Sequence, residues 1–154
     1  MRRALRLAAC LLALAGCAPA GPRPIAYGTA SCAECRMIAS DARFGAELVT
    51  AKGKLYVFDS IECLAAFVRT LPEAPRELWV SDYARPGTLV PVDSARFHRL
   101  VGAGSSPMGK GLVATRRGGT LPADGADAAP AMAWPDVLAL LRAEDMAGEA
   151  PHGH

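Results

Sequence analysis

Between residues 44 and 83 the spacing of apolar residues changes twice, and this limits the fold more than any other stretch of the chain. "FGAELVT" (44–50) and "KLYVFDS" (54–60) are short runs rich in strand-favouring residues, and they flank "AKG". Such a pair around a glycine-containing turn predicts a hairpin with Lys52 and Gly53 near its tip. The next apolar residues, Ile61, Leu64, Ala65, Val68 and Leu71, recur at helical intervals, so one face of a helix points to a core. Asp59 or Ser60 can cap that helix, and Glu62 stands three residues after Asp59 as in a capping box. Pro72 and Pro75 stop it, and "ELWVSDY" (77–83) reads as a further strand. Strand, strand, helix, strand is an α+β arrangement.

The remainder is a looser echo of that order. "TLVPVD" (88–93), "ARFHRLVG" (95–102) and "LVATRR" (112–117) are strand candidates, with a Gly/Ser loop, "GAGSSPMGKG" (102–111), between the last two. Residues 118–131, "GGTLPADGADAAPA", are low in complexity and read as an exposed loop. "AWPDVLALLRAEDM" (133–146) is a helix with Pro135 in its first turn and Val137, Leu138, Leu140 and Leu141 apolar. Residues 147–154 read as a disordered tail.

The N-terminus sets the compartment. Arg2, Arg3 and Arg6 precede an apolar run, Leu7 to Gly16, too short to span a bilayer. The run ends in "LAGC", the pattern of a bacterial lipoprotein signal. Cleavage after Gly16 would leave Cys17 as an acylated N-terminus, anchored by its buried methylenes, and residues 17–31, rich in Pro, Gly, Ala and Ser, would serve as a flexible tether. Ala18, where an aspartate would favour retention, points to the outer rather than the inner membrane, with the protein facing the periplasm. Of the chain's 17 Lys+Arg, three lie in the signal, so the mature protein carries 14 against 15 Asp+Glu. The basicity therefore belongs to export and gives no reason to expect nucleic acid. The 138 mature residues suffice for one compact domain or two very small ones sharing a core.

Of five cysteines, Cys10 leaves with the signal and Cys17 carries lipid. Cys32, Cys35 and Cys63 remain, an odd number in an oxidising compartment, so at least one stays a free thiol or binds something. "SCAECRM" (31–37) admits several readings. A redox Cys-x-x-Cys belongs at a helix N-terminus after a strand, whereas this stretch leads into a hairpin. A structural disulfide, Cys32–Cys35 or Cys32–Cys63, is the plain alternative. Zinc wants four Cys/His ligands, and only one internal histidine, His98, joins the three thiols. Thiolate plus thioether, Cys35 with Met37, instead suits Cu(I). Met108 strengthens that reading, because "SSPMGKG" is a polar, glycine-rich loop where a packing methionine is out of place. Met132 and Met146, in or beside the last helix, read as packing residues. His98 alternates with apolar neighbours as a structural histidine does. His152 and His154 could bind Cu(II) or Ni(II) only loosely. No Ser/His/Asp set, paired carboxylates or phosphate-cradling loop is present, and the chain does not read as an enzyme.

Several elements in order resemble the NosL family, lipoproteins that act as accessory copper chaperones for nitrous oxide reductase. The family's "CGM" element, with its following aspartate and "RF" pair, is matched by Cys35–Arg36–Met37, Asp41, Arg43 and Phe44. Its "FDDIGCM", "WIDA" and "TPMGxG" elements are matched by "FDSIECL", "PVDSA" and "SPMGKG". The resemblance runs from about Cys32 to Ala114. It implies two small ββαβ units, residues 32–84 and 85–146, related to the metal-handling fold of organomercurial lyases. It implies binding of Cu(I) and delivery to apo nitrous oxide reductase, or another copper acceptor, and its assembly proteins. It also implies soft ligands in the order Cys35, Met108, Met37, Cys63, Cys32, with His98 as an extra. Three departures stand out: Arg36 replaces the glycine of "CGM", Leu64 replaces the methionine after the second cysteine, and no helix follows Ala114. The last predicts a reduced second unit. The alternatives are a thiol–disulfide oxidoreductase using Cys32 and Cys35, or a structural disulfide-bonded lipoprotein.

Overall fold

A computed structural model describes residues 21–100, 106–122 and 130–148. The signal segment, Cys17, and the histidines of the tail lie outside these residues, as do residues 123–129, half of the 118–131 loop. The protein is α+β. Strands β1 (Ala46–Val49) and β2 (Leu55–Phe58) form the expected hairpin, with Ala46 opposite Phe58 and Val49 opposite Leu55. Its turn is closed by Gly53 N–H donating to the Thr50 carbonyl at 2.8 Å, and Gly53 takes a φ of 83°, a conformation open to glycine at little strain. Helix α1 (Ile61–Val68) follows, then β3 (Glu77–Ser81) on the other edge of β1. Leu71, expected on the helix, lies past its end in a turn that leads to Pro72.

The boundary expected near residue 84 does not divide the structure. β4 (Leu89–Pro91), read as the opening of a second unit, pairs with β3, giving one four-stranded antiparallel sheet of order β2-β1-β3-β4. Pro91 is tolerated there because β4 is an edge strand. After a single 3-10 turn (Val92–Ser94), β5 (Ala95–Arg99) and β6 (Leu112–Arg116) make a separate two-stranded ribbon. A parallel bridge from Asp82 to Ala114 joins it to the first sheet. No helix follows Ala114 directly. The chain instead returns at Met132, which exchanges two backbone hydrogen bonds with Phe97, and then enters helix α2 (Trp134–Gly148). Asp136 reaches back to the Ala133 N–H at 2.9 Å and caps α2. The helix includes residues 147 and 148, which were expected in the tail.

One core serves both halves. Ala46, Leu48, Phe58 and Val80 of the sheet pack with Ile61, Leu64 and Ala65 of α1 and with Phe97, Leu112, Trp134 and Val137 from the second half. The central strand β1 is buried along its whole length. Its second face is covered by the segment expected to be a loose tether. Ile25 is buried, Arg23 N–H donates to Glu47 Oε2 at 3.0 Å, and the Tyr27 hydroxyl meets Ser81 Oγ at 2.9 Å. The tether expectation is thus corrected for residues 23–31: a two-faced buried strand needs a second cover, and this segment supplies it. Among the described residues no helix is long and apolar enough to cross a membrane.

Candidate metal site

The "SCAECRMI" stretch folds into a closed loop. Ser31 and Ile38 form a bridge, Cys32 N–H donates to the Met37 carbonyl at 2.8 Å, and Arg36 N–H donates back to the Cys32 carbonyl at 3.1 Å. Closing so short a loop demands a left-handed residue just after the second cysteine, and Arg36 takes it with a φ of 68°. The arginine therefore holds the conformation that a glycine would adopt without strain. Ala33 N–H donates to the Val57 carbonyl at 2.9 Å and fastens the loop to β2.

That anchoring places the loop beside the junction of β2 and α1. Of the two expected caps, Ser60 is the one used: its hydroxyl accepts from Cys63 N–H at 3.2 Å. Asp59 and Glu62 are thereby released from capping and turn inward. The Sγ atoms of Cys32, Cys35 and Cys63 and a carboxylate oxygen of Asp59 lie within 4.8 Å of one another, and this group could hold a metal ion. Cys32, Cys63 and Asp59 are each at most 2% exposed, whereas Cys35 is half-buried. All three cysteines are free thiols.

The electrostatics of the group are uneven. Cys63 donates its thiol hydrogen to Cys32, and the backbone N–H groups of Asp59, Cys35 and Glu34 add to this; together they outweigh burial and lower the Cys32 pKa to about 6. Cys63, as the donor and as a buried thiol, is pushed far up. Burial raises Cys35, whose Sγ donates to Asp59 Oδ2 at 3.5 Å. Asp59 Oδ1 is buried with no hydrogen-bond partner among the described residues. An orphaned buried carboxylate oxygen is costly unless something else meets it. Beside three thiols, a metal ion is a chemically suitable occupant.

An open cleft of about 260 Å³ runs along the outer side of the group, lined by Cys35, Cys63, Met108, Arg69, Lys110 and Leu141 among others. Met108 comes from the 106–111 loop, which is turned by Gly109 N–H donating to the Ser106 carbonyl at 2.9 Å. Glu62 holds that loop: its Oε1 accepts from Ser106 Oγ at 2.8 Å, and Ser106 Oγ accepts from Gly111 N–H at 2.8 Å. Arg69 pairs with Asp145 at 2.7 Å, and Lys110, in the same loop as Met108, with Glu144 and Asp145 at 3.3 Å, tying α2 to the cleft.

Of the residues expected from sequence, Cys32, Cys35 and Cys63 are brought together, and Met108 shares the cleft with the last two. Met37 does not line that cleft. Its backbone closes the Cys32 loop, and its side chain is exposed. His98 is likewise outside the group. Its Nε2 meets Thr115 Oγ1 across the β5–β6 ribbon at 3.3 Å, and burial lowers its pKa. Asp59 and Glu62 are the additions. Both stood in the sequence as capping candidates, and only the choice of Ser60 as cap frees them. Comparison of the chain with protein-family models, with curated proteins and with solved structures gives no match.

Proposed function

We propose that this protein is a lipid-anchored, periplasmic Cu(I) carrier that delivers its ion to a copper enzyme and performs no turnover itself. The acceptor that the NosL resemblance implies is apo nitrous oxide reductase. One observation carries the reading: Cys35, Cys63 and Met108 line a single open cleft, with Cys32 in contact behind them. Thiolate and thioether are the donors that Cu(I) prefers. The exposure is graded from buried Cys32 and Cys63, through half-buried Cys35, to Met108 at 40% exposed. Such a gradient suits transfer. An incoming acceptor can replace Met108 and Cys35 first, while the inner thiols still hold the ion.

Competition against a chromogenic Cu(I) chelator tests the reading. Cys35→Ser and Met108→Ala should each lower Cu(I) affinity by orders of magnitude while unfolding curves stay close to wild type. Unchanged affinity in both variants would sink it. The oxidoreductase alternative is weaker, because Cys32, the activated thiol, is 1% exposed and sits in a closed loop rather than at a helix N-terminus.

A further inference from the structure

We infer that the turn between β1 and β2 is a membrane-facing surface that rests on anionic phospholipid headgroups. This rests on the lipid anchor of the reading above and not on the ion that the protein carries. It concerns the end of the hairpin away from the thiol group, which gathers where β2 meets α1.

The first observation is how little chain is left as spacer. Residues 23–31 are packed on β1, and Cys17 lies only six positions before Arg23. Fully extended, six residues reach about 20 Å, less than the width of a domain of about 100 residues, whose radius of gyration alone is about 13 Å. An acylated Cys17 therefore holds the domain against the bilayer. The second observation is direction. The Tyr27 hydroxyl meets Ser81, whose N–H donates to the Gly45 carbonyl, whereas Arg23 N–H reaches Glu47. Followed back toward Cys17, the segment thus advances along β1 toward Thr50 and the hairpin turn.

The third observation is what the turn carries. Lys52, Lys54 and Arg76 are exposed there. Arg76 N–H donates to the Val49 carbonyl at 2.8 Å, and its guanidinium lies within contact range of Gly53. Beside them an open cleft of about 280 Å³ separates the hairpin from the end of α1, lined by Lys52, Lys54, Tyr56, Leu71, Pro72 and Glu73 among others. Lys54 Nζ stands 4.5 Å over the Tyr56 ring. An aromatic and apolar floor beneath lysines suits a bilayer interface, where rings sit at headgroup depth and long basic side chains extend to the phosphates. Glu73 opposes this charge, and Glu77 is already paired with Arg76 at 3.2 Å. Each basic residue held near an anionic leaflet strengthens binding about fivefold. In this pose the thiol group points to the aqueous side, where an acceptor protein can reach it.

Lysine footprinting tests the surface, because the chain's three lysines divide between the turn, Lys52 and Lys54, and the metal cleft, Lys110. Protein produced with its own signal segment is added to preformed vesicles of phosphatidylcholine, alone or with equimolar phosphatidylglycerol. It is then acetylated with an N-hydroxysuccinimide ester and mapped by mass spectrometry, which also reads the acyl mass on Cys17. With phosphatidylglycerol, Lys52 and Lys54 should label at least about fivefold more slowly than in detergent, and Lys110 at an unchanged rate. Raising the salt to about 1 M, where the screening length falls to about 3 Å, should restore the labelling, and Arg76→Gln should restore part of it. Protection of all three lysines alike, or equal protection on both vesicle types, overturns the proposal. A Cys17 without acyl mass would overturn the anchor. Selective protection of Lys52 and Lys54 would then still support this surface, and its absence would overturn the surface as well.

Discussion

The carboxylate of Glu62, at the start of α1, accepts a 2.8 Å hydrogen bond from the hydroxyl of Ser106, 44 residues further along the chain. The same oxygen accepts from Leu112 N–H at 3.4 Å, and Ser106 in turn accepts from Gly111 N–H. The helix that presents Cys63 thus also sets the position of the Met108 loop. Glu62→Ala removes the acceptor and strands buried donors, so it should destabilise the fold by about 1–3 kcal/mol. It should also weaken Cu(I) binding through a misplaced Met108. Glu62→Gln keeps an acceptor oxygen and should retain most of both. Urea unfolding and chelator competition on the two variants check this; equal behaviour of Ala and Gln would contradict it.

Arg36 occupies left-handed backbone, which costs a non-glycine residue roughly 1–2 kcal/mol. Arg36→Gly relieves that strain but gives the unfolded chain more freedom to lose, about 0.4–1 kcal/mol. The balance predicts a variant as stable as wild type or more stable by up to about 1.6 kcal/mol. Arg36→Val should be clearly destabilised, since a β-branched residue tolerates this φ least. Thermal unfolding of the metal-free proteins decides; a destabilised glycine variant would refute the strain argument.

Glu47 is fully buried on β1. Its Oε2 accepts from Arg23 N–H, while Oε1 has no partner among the described residues. Burial, the largest influence, raises its pKa. With the folded pKa above the unfolded one, the unfolded chain ionises first as pH rises. The penalty is absent below the ordinary carboxylate range, grows from there up to the raised folded value, and then stays constant. Glu47→Gln should therefore gain stability over wild type at pH 7 and lose that advantage near pH 4. Denaturant curves at both values test the sign.

Cys35 is the one accessible thiol of the three. In the native, reduced, metal-free protein, iodoacetamide should label Cys35 first and leave Cys32 and Cys63 unmodified until the chain unfolds. Burial raises the Cys35 pKa, so labelling should accelerate with pH well above neutrality. Bound Cu(I) should suppress it. Peptide mapping by mass spectrometry reads all three outcomes; early labelling of Cys63 would contradict the packing of the site.

The hairpin, α1, β3, α2 and the separate strands β5 and β6 were readable from periodicity and turn residues, because each is decided within a short window; that β5 pairs with β6 was not. β4 was readable as a strand but not as a member of the first sheet, since pairing with β3 depends on which edge is free after β1 has been enclosed. The same limit applies to residues 23–31. Their Pro/Gly/Ala composition suggests a tether, yet Ile25 and Tyr27 find a sheet face that local sequence cannot reveal.

For the site, the amino-acid sequence by itself determined which donor types are available. Three thiols, a methionine in a polar loop and a short Cys-x-x-Cys segment were legible as candidate metal ligands, because donor type is a property of single residues. Only the tertiary structure decided which donors meet. Cys63 joins Cys32 and Cys35, Asp59 completes the group once Ser60 takes the capping role, and Met108 is brought to the cleft by Glu62. Met37 and His98, equally plausible by type, are held elsewhere by the Cys32 loop and by Thr115. The physical reason is distance: ligation needs atoms within a few ångströms, and for residues tens of positions apart that is settled by packing alone.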